Sequence, residues 1–401
     1  MADNLHFTHI KPGMFDEYCE LLNLAFPGDG VDLLARRLAQ YPKMVETNLY
    51  ALWDGGKMVA TLDIIPQTWS LGGVPLRVAE MGLVATHPDY RNRGLQRRLN
   101  AEFDRQMKAE GYHLAGLEGI PYFYRQFGFE YAVPLDEATS IPLTQLTSGD
   151  PSPFSPLLEA EIPQAMKLLE KDQSRYIVHS LRSRDEWETQ ERIGWVGEHQ
   201  NTTYALRAKG KVKAYIRIEV KDKDILMHEC AGVGDDNAPG VAAFIRKLGE
   251  EKGATNLVSR ESYAEPFSSY LISLGATRRL AYAWQMKIVD HKRMFEALAP
   301  VFERRIAASP LKGYTGDILI NFYIVAITLS LREGKFSGAT EVPKQNDVVL
   351  INPKVFPKLL LAYRSIDELI AEYPDVQMRK ECKPIVDVLF PKGEAHIHTC
   401  Y

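Results

Sequence analysis

Apolar and polar positions follow one plan through the first third of the chain. Leu5 to Ile10 reads as a short strand, and the apolar residues from Met14 to Phe26 recur at helical spacing after Lys11-Pro12-Gly13. Pro27-Gly28-Asp29-Gly30 breaks that helix, and a second is predicted from about Asp32 to Gln40. Leu49–Trp53 and Met58–Ile65 read as a hairpin around Asp54-Gly55-Gly56-Lys57, and Trp69–Val84 contains a further turn at Gly72-Gly73. An amphipathic run opens near Leu95. It is followed by a strand at Tyr112–Leu117, a short helix at Pro121–Phe127 and a strand at Phe129–Leu135. Pro151-Ser152-Pro153 reads as a linker closing this block.

The next block repeats the first. Gly94 in Arg93-Gly94-Leu95 and Gly240 in Pro239-Gly240-Val241 head two helices and lie 146 residues apart, as do Ala85 and Ala231 at the ends of the preceding strands. Tyr122–Phe129 likewise faces Ser269–Ala276. Where the first copy carries arginines, the second carries Asp235, Asp236 and Asn237, and the two carboxylates would repel a phosphate. Leu271 stands opposite Tyr124. The second copy therefore reads as the same fold without the same site.

After His291 the pattern changes. A helix from Met294 to Arg305 precedes strands at Gly313–Phe322, Ile324–Glu333, Lys335–Val342 and Asp347–Ile351, then helical runs from Asn352-Pro353 to near Glu372. Strands followed by helices predict an α+β domain. The tail from Pro384 to Tyr401 is a short helix and an extended end, docked through the apolar residues between Ile385 and Phe390.

The chemistry concentrates in Met81–Leu99, an apolar strand, a polar turn with a proline, and a helix opened by Arg91-Asn92-Arg93-Gly94-Leu95-Gln96. A helix start leaves N–H groups without partners at the positive end of its dipole, so an anion fits there. Gly94 lets the backbone approach phosphates, and Arg91, Arg93, Arg97 and Arg98 add charge. This is the pattern of a diphosphate site. His87 is expected to cover the turn.

These residues resemble the acetyl-CoA motif of the GCN5-related N-acetyltransferases (GNAT), and the whole layout resembles the Eis-type (enhanced intracellular survival) branch. Gln96 stands where the superfamily more often has Gly or Ala, at a position where the backbone makes the contact. The resemblance implies two tandem acetyltransferase-fold domains, α/β, the second degenerate, with a sterol-carrier-protein-like α+β domain at the C-terminus. The expected boundaries are 1–153, 154–290 and 291–401. It implies acetyl-CoA as co-substrate, held by Leu83, Val84 and Ala85 of a bulged strand, by Arg91, Asn92, Arg93, Gly94, Leu95 and Gln96, and by Gly119 and Ile120. In Tyr124-Arg125-Gln126-Phe127-Gly128 it implies Tyr124 as the acid that protonates the departing thiolate; Tyr122 is the rival, and the register of the glycine selects Tyr124. A tyrosine pKa lies near that of a thiol, which suits the role.

In the same family the chain's terminal carboxylate takes the amine's proton, which matches Tyr401 here. A solvated carboxylate is too weak a base for an ammonium, so burial or a water relay must assist it. Cys400 replaces the acidic residue found before the terminus in aminoglycoside-modifying members, and Asp29 is a candidate for gripping an ammonium. The expected acceptor is a primary amine of aminoglycoside, polyamine or lysine type. The family also implies a homo-oligomer, often a hexamer. A non-catalytic acyl-CoA or lipid-binding protein is the alternative, and it would need neither Tyr124 nor a free Tyr401 carboxylate.

Composition narrows this further. A length of 401 residues predicts two to four domains, and a formal net charge of −4 argues against nucleic-acid partners. The N-terminus lacks a signal-peptide pattern, and the longest apolar candidate, Ile318–Leu331, is interrupted by Asn321 and Thr328. No membrane association is expected. Cys19, Cys230, Cys382 and Cys400 show no regular spacing and read as reduced thiols of a cytoplasmic protein. His396, His398 and Cys400 alternate along the extended tail and would share one face within reach of one metal ion; a zinc site would need a fourth ligand from elsewhere, and since His and Cys in a tail more often face solvent or pack, no metal is expected.

Overall fold

The computed structural model describes residues 5–45, 48–135, 137–147, 149–343 and 349–401. It divides into two units, 1–133 with 177–181 and 284–395, and 134–176 with 182–283 and 396–401. The first opens with β1 (Leu5–His9), α1 (Phe15–Ala25), α2 (Val31–Leu38), β2 (Leu49–Asp54), β3 (Lys57–Leu71), β4 (Val74–Thr86), α3 (Leu95–Glu110), β5 (Leu114–Leu117) and β6 (Glu130–Leu135). Strands β1 to β4 pair antiparallel in order. After the crossover through α3, β5 lies parallel to β4.

Both faces of this sheet are covered. On one, α3 places Leu95, Leu99, Phe103 and Met107 at four-residue intervals against Leu62, Ile64 and Ala79. On the other, Tyr18, Leu21 and Leu22 of α1 and Ala35 of α2 pack over Ala51, Met58 and Ala85. A strand covered on both sides reads as a continuous apolar run, which explains the composition of β3.

The chain continues with β7 (Ala138–Pro142), β8 (Phe154–Pro156), α4 (Ile162–Gln173), β9 (Val178–Leu181), α5 (Arg184–Ile193), β10 (Trp195–Val196), β11 (His199–Gln200), β12 (Thr202–Ala208), β13 (Lys211–Lys221), β14 (Asp224–Ala231), α6 (Ala238–Lys252), β15 (Asn256–Ser259), α7 (Pro266–Ser273), β16 (Thr277–Arg279) and β17 (Tyr282–Ile288). The second unit's sheet runs β16-β7-β15-β14-β13-β12-β8. Within it β14, α6 and β15 reproduce the parallel crossover of β4, α3 and β5. The internal repeat is present.

Sheet membership does not follow chain order. Strand β7, from the first block, lies between β15 and β16 of the second sheet. Strand β17, from the second block, lies between β5 and β6 of the first, its residues Gln285–Ile288 antiparallel to Leu117–Leu114. The two copies thus exchange their last strands. Trp284 of β17 packs edge-on against Trp69 of β3 at 5.3 Å between ring centres.

The remainder comprises α8 (His291–Ala297), α9 (Ala299–Ala307), β18 (Gly316–Asn321), β19 (Ala326–Arg332), β20 (Lys335–Val342), β21 (Val349–Leu350), α10 (Phe356–Leu360), α11 (Ile366–Glu372), β22 (Gln377–Met378), α12 (Lys383–Leu389) and β23 (Ala395–His396). The single helix expected at 294–305 is two, broken at Leu298 because Pro300 cannot continue the hydrogen-bond ladder of the preceding turn. The apolar stretch 318–331 is an antiparallel strand pair. Of the strand expected at 347–351, Asp347 and Val348 lie outside the described residues. This α+β part, a five-stranded sheet ordered β20-β19-β18-β21-β22, is centred on Phe295, Phe302, Phe322, Phe356 and Phe390. All four cysteines are free. No helix among the described residues is long and apolar enough to cross a membrane.

Candidate active site

The site grows from a break in register between β3 and β4. Thr61 faces Ala85 and Asp63 faces Gly82, so Leu83 and Val84 together stand opposite the single residue Leu62. This is a β-bulge, the splay expected of the cofactor strand. Leu83 takes φ +47°, a left-handed conformation that a leucine adopts only under constraint, and its carbonyl accepts a hydrogen bond from Thr61 Oγ1 at 3.1 Å.

Beyond the bulge the chain enters a short helical turn at Pro88–Tyr90, where His87 Nδ1 accepts from the Asp89 N–H at 3.2 Å and so covers the turn. Asn92 (φ +63°) and Gly94 (φ +73°) then bend the backbone into α3. Gly94 supplies no side chain to cap the helix, which leaves the first amides of α3 open to an anion. Gln96 Nε2 donates to the carbonyl of Ala85 at 2.8 Å and to Thr86 Oγ1 at 3.0 Å. The sixth residue of the motif therefore ties helix to strand.

A cleft of about 440 Å³ lies over this turn, lined by Val84, Arg91 to Gln96, Ile120 and Tyr124 among others. Arg93 stacks on the Tyr90 ring at 4.5 Å, and Arg97 donates to Gln126 Oε1 at 2.8 Å. Arg98 does not line the cleft; its guanidinium turns to the carbonyl of Leu5. Of the expected cofactor residues, Ala85 is buried behind the bulge and Leu83 lines a different cavity.

Tyr124 sits on a single turn of 3-10 helix, Phe123–Phe127, and is 8% exposed. Burial pushes its hydroxyl up to about 12, so it stays protonated through the neutral range. Its rival Tyr122 is 67% exposed and lies outside the cleft lining. Gly119 is required by this arrangement: a Cβ there would stand 2.5 Å from Tyr124 Cε2. The exchanged strand fixes the same region. Gln285 Nε2 donates to the Gly119 carbonyl at 3.0 Å, and Lys287 Nζ to the Phe127 carbonyl at 3.0 Å. Neither contact is visible in the motif.

Asp29 is exposed and lines neither this cleft nor the cavity containing Leu83. A residue not singled out from the sequence stands in that cavity instead. Asp63 is fully buried, with Oδ2 accepting from the Tyr18 hydroxyl. Its signal was a lone charge inside the otherwise apolar run Leu62-Asp63-Ile64-Ile65 of a strand covered on both faces.

In the second unit the tail 396–401 is docked by polar contacts. His398 Nδ1 pairs with Gln173 Nε2 at 3.0 Å, the Thr399 carbonyl accepts from Gln190, and Tyr401 accepts through its backbone oxygen from the Gly197 N–H at 2.5 Å. His396 and His398 both face Glu261, at 3.3 and 3.2 Å, while the Cys400 sulfur turns to the carbonyl of His398. A second such group, His199, Glu219 and His228, has the Arg260 guanidinium 2.8 Å from His199 Nε2. At the start of α6, where the second copy's phosphate turn would be, Ser152 donates its N–H to the Gly240 carbonyl, and Asp235 and Asp236 are exposed. The linker occupies that ground.

Residues 6–132 match the family model of the acetyltransferase (GNAT) domain. No curated protein sequence matches the chain. Among solved structures it is similar to a GCN5-related N-acetyltransferase from Anabaena variabilis, at 15% identity over 98% of this chain and 99% of that one, with a TM-score of 0.76. The corresponding figures for a GCN5-related N-acetyltransferase from Kribbella flavida are 15%, 98%, 98% and 0.73. For Eis1 from Mycobacterium abscessus they are 12%, 99%, 100% and 0.64. At such identities the likeness is one of fold. With the bulged strand and the open helix start in the positions that the domain model covers, residues 6–132 form an acetyltransferase (GNAT) domain, and over its whole length the chain is similar in fold to the GCN5-related N-acetyltransferases and to Eis1.

Proposed function

We propose that the chain binds acetyl-CoA in the cleft over the α3 start and transfers the acetyl group directly to a primary amine. The observation that carries this reading is the bulge at Leu83 and Val84 beside the uncapped first turn of α3. One feature would receive a diphosphate and the other the thioester. Arg91, Arg93 and Arg97 add positive charge along the cleft.

Attack of a neutral amine on the thioester carbon forms the C–N bond and places negative charge on the carbonyl oxygen, which backbone N–H groups near Val84 would stabilise. The C–S bond then breaks, and the Tyr124 hydroxyl gives its proton to the leaving sulfur as charge develops there. With its pKa at about 12, Tyr124 is a weaker acid than a free thiol, so proton transfer to sulfur runs uphill and the hydroxyl lowers the barrier chiefly by hydrogen-bonding the sulfur as charge develops there. The carboxylate of Tyr401 is the proposed acceptor of the amine's proton, by resemblance to the Eis-type enzymes, in an assembly of identical chains.

The test is thiol release from acetyl-CoA in the presence of a panel of primary amines. Turnover with at least one amine supports the reading. Acetyl-CoA binding without turnover for any amine would favour an acyl-CoA-binding protein. Residues added after Tyr401 should lower kcat; equal rates would remove its carboxylate from the mechanism.

A further inference from the structure

The cavity containing Leu83 has a volume of about 340 Å³. It meets the bulge from the side opposite the cleft's own lining residue: Leu83 belongs to this cavity, and the next residue, Val84, to the cleft. Its walls are apolar, built by Ile10, Pro12, Phe15, Leu38, Met44 and Leu49. Two polar groups stand at its inner end, Tyr18 and Asp63, both fully buried.

Those two groups are incompletely matched. The Tyr18 hydroxyl is spent on Asp63 Oδ2, while Asp63 Oδ1 has no hydrogen-bond partner among the described residues. A buried carboxyl oxygen without a donor is destabilising, and native folds keep such a group where something else completes it. Burial pushes the Asp63 carboxyl well above the usual carboxylate range, and an arriving cation is what would let it ionise. Asp63 pairs across the sheet with Gly82, the residue just before the bulge.

Resting on the acetyltransferase reading above, we propose that this cavity is the acceptor pocket, and that it takes a compact monoamine with an aliphatic or aromatic body, its nitrogen hydrogen-bonded to Asp63 Oδ1. The volume lies at the small end of ligand pockets, roughly 300–1,000 Å³. The apolar walls suit a hydrocarbon body. Among the described residues Asp63 is the one carboxylate in the lining, and the other charged lining residue is Lys11, so there a second ammonium would meet one repulsive charge and no carboxylate. A polyamine or aminoglycoside therefore does not match the pocket. An acyl chain would fill the walls but leave Asp63 Oδ1 dry.

Calorimetry with phenethylamine, without acetyl-CoA, tests the pocket separately from turnover. Wild-type protein should bind it, and Asp63→Asn should weaken binding by about 10- to 100-fold, the loss expected for a charge-assisted hydrogen bond. Binding of 2-phenylethanol, which carries no cation, should change by less than about twofold between the two proteins. Ala35→Leu narrows the pocket from α2 while keeping the Asp63 carboxyl, and should abolish phenethylamine binding while leaving acetyl-CoA binding intact. Equal affinity of wild type and Asp63→Asn for phenethylamine would overturn the proposal, as would spermidine binding more tightly than phenethylamine. A preference for hexanoyl-CoA over acetyl-CoA that Ala35→Leu removes would also overturn it, by making the cavity an acyl pocket. If phenethylamine binds as expected but no amine yields free thiol, the pocket stands and the acetyltransferase reading falls.

Discussion

Gln285 donates its side-chain amide to the carbonyl of Gly119 across 3.0 Å, although the two residues lie in different copies of the repeated sequence. The bond exists because β17 lies beside β5 in the first sheet. It holds the segment that leads directly into the turn carrying Tyr124. Gln285 is thus a positioning residue.

Replacing it by leucine removes that donor from the half-buried Gly119 carbonyl, at the cost of an ordinary hydrogen bond, about 0.5–1.5 kcal/mol. Gln285→Leu should lower the unfolding free energy by that amount in urea titrations. It should also lower kcat more than it raises KM for acetyl-CoA, because the α3 turn is untouched. A variant with an altered KM alone would assign Gln285 to cofactor binding instead.

Gly119→Ala makes a sharper test of the same geometry. The new Cβ would stand 2.5 Å from both Tyr124 Cε2 and Leu117 Cδ1, so the aromatic ring must move. Strain of this kind costs about 1–3 kcal/mol in a packed interior. We expect a folded protein with acetyl transfer reduced by about 100-fold, as when a catalytic group is misplaced by an ångström. A crystal structure with Tyr124 unmoved, or full activity, would contradict the role given to that close approach.

For Tyr124 itself, Phe is the informative replacement. Tyr124→Phe should keep its packing against Phe123 and Phe129, and thus its stability, while kcat falls by about 100- to 1,000-fold. The kcat–pH profile of the wild type should show no falling limb from Tyr124 below about pH 11, since its pKa lies near 12. A loss of activity at pH 9 that Tyr124→Phe abolishes would mean that the hydroxyl ionises far more easily than its burial allows.

His291 predicts a pH dependence of stability. It packs against Phe322 and Phe356, and burial lowers its pKa from 6.5 to about 4. Above pH 6.5 the group is neutral in both folded and unfolded chains and has no effect. As pH falls toward 4 the unfolded chain takes up a proton that the native one refuses, removing about 3 kcal/mol of stability. His291→Phe should flatten this part of the stability–pH curve. An unchanged slope between pH 6.5 and 4 would show that other groups carry the acid sensitivity.

The cofactor turn was legible in the sequence because everything that makes it lies within twenty residues: an apolar strand, a proline, Asn92 and Gly94 for the left-handed positions, and a helix with a clear apolar face. The repeat was legible from the spacing of Gly94 and Gly240. The exchange of β7 and β17 was not, since Ala138–Pro142 and Tyr282–Ile288 are short apolar strands that would suit either sheet; their partners are chosen by tertiary packing alone. Asp63 escaped for a related reason. A single charge in an apolar strand reads as a position open to solvent, and only the cover of α1 and α2 turns that face into an interior. Asp29 drew attention through its loop position, and the fold leaves it exposed.

The strand exchange sets a timetable for synthesis. The neighbours of β17 in the first sheet are finished at Leu135, yet β17 begins only at Tyr282. At about 5–20 residues per second the ribosome needs roughly 7–30 s to cover that interval. Until then the catalytic sheet has an unfilled slot between β5 and β6, with Trp69 lacking its Trp284 neighbour. The second copy, though it has lost its own anion turn, is therefore the part of the nascent chain whose arrival completes the first.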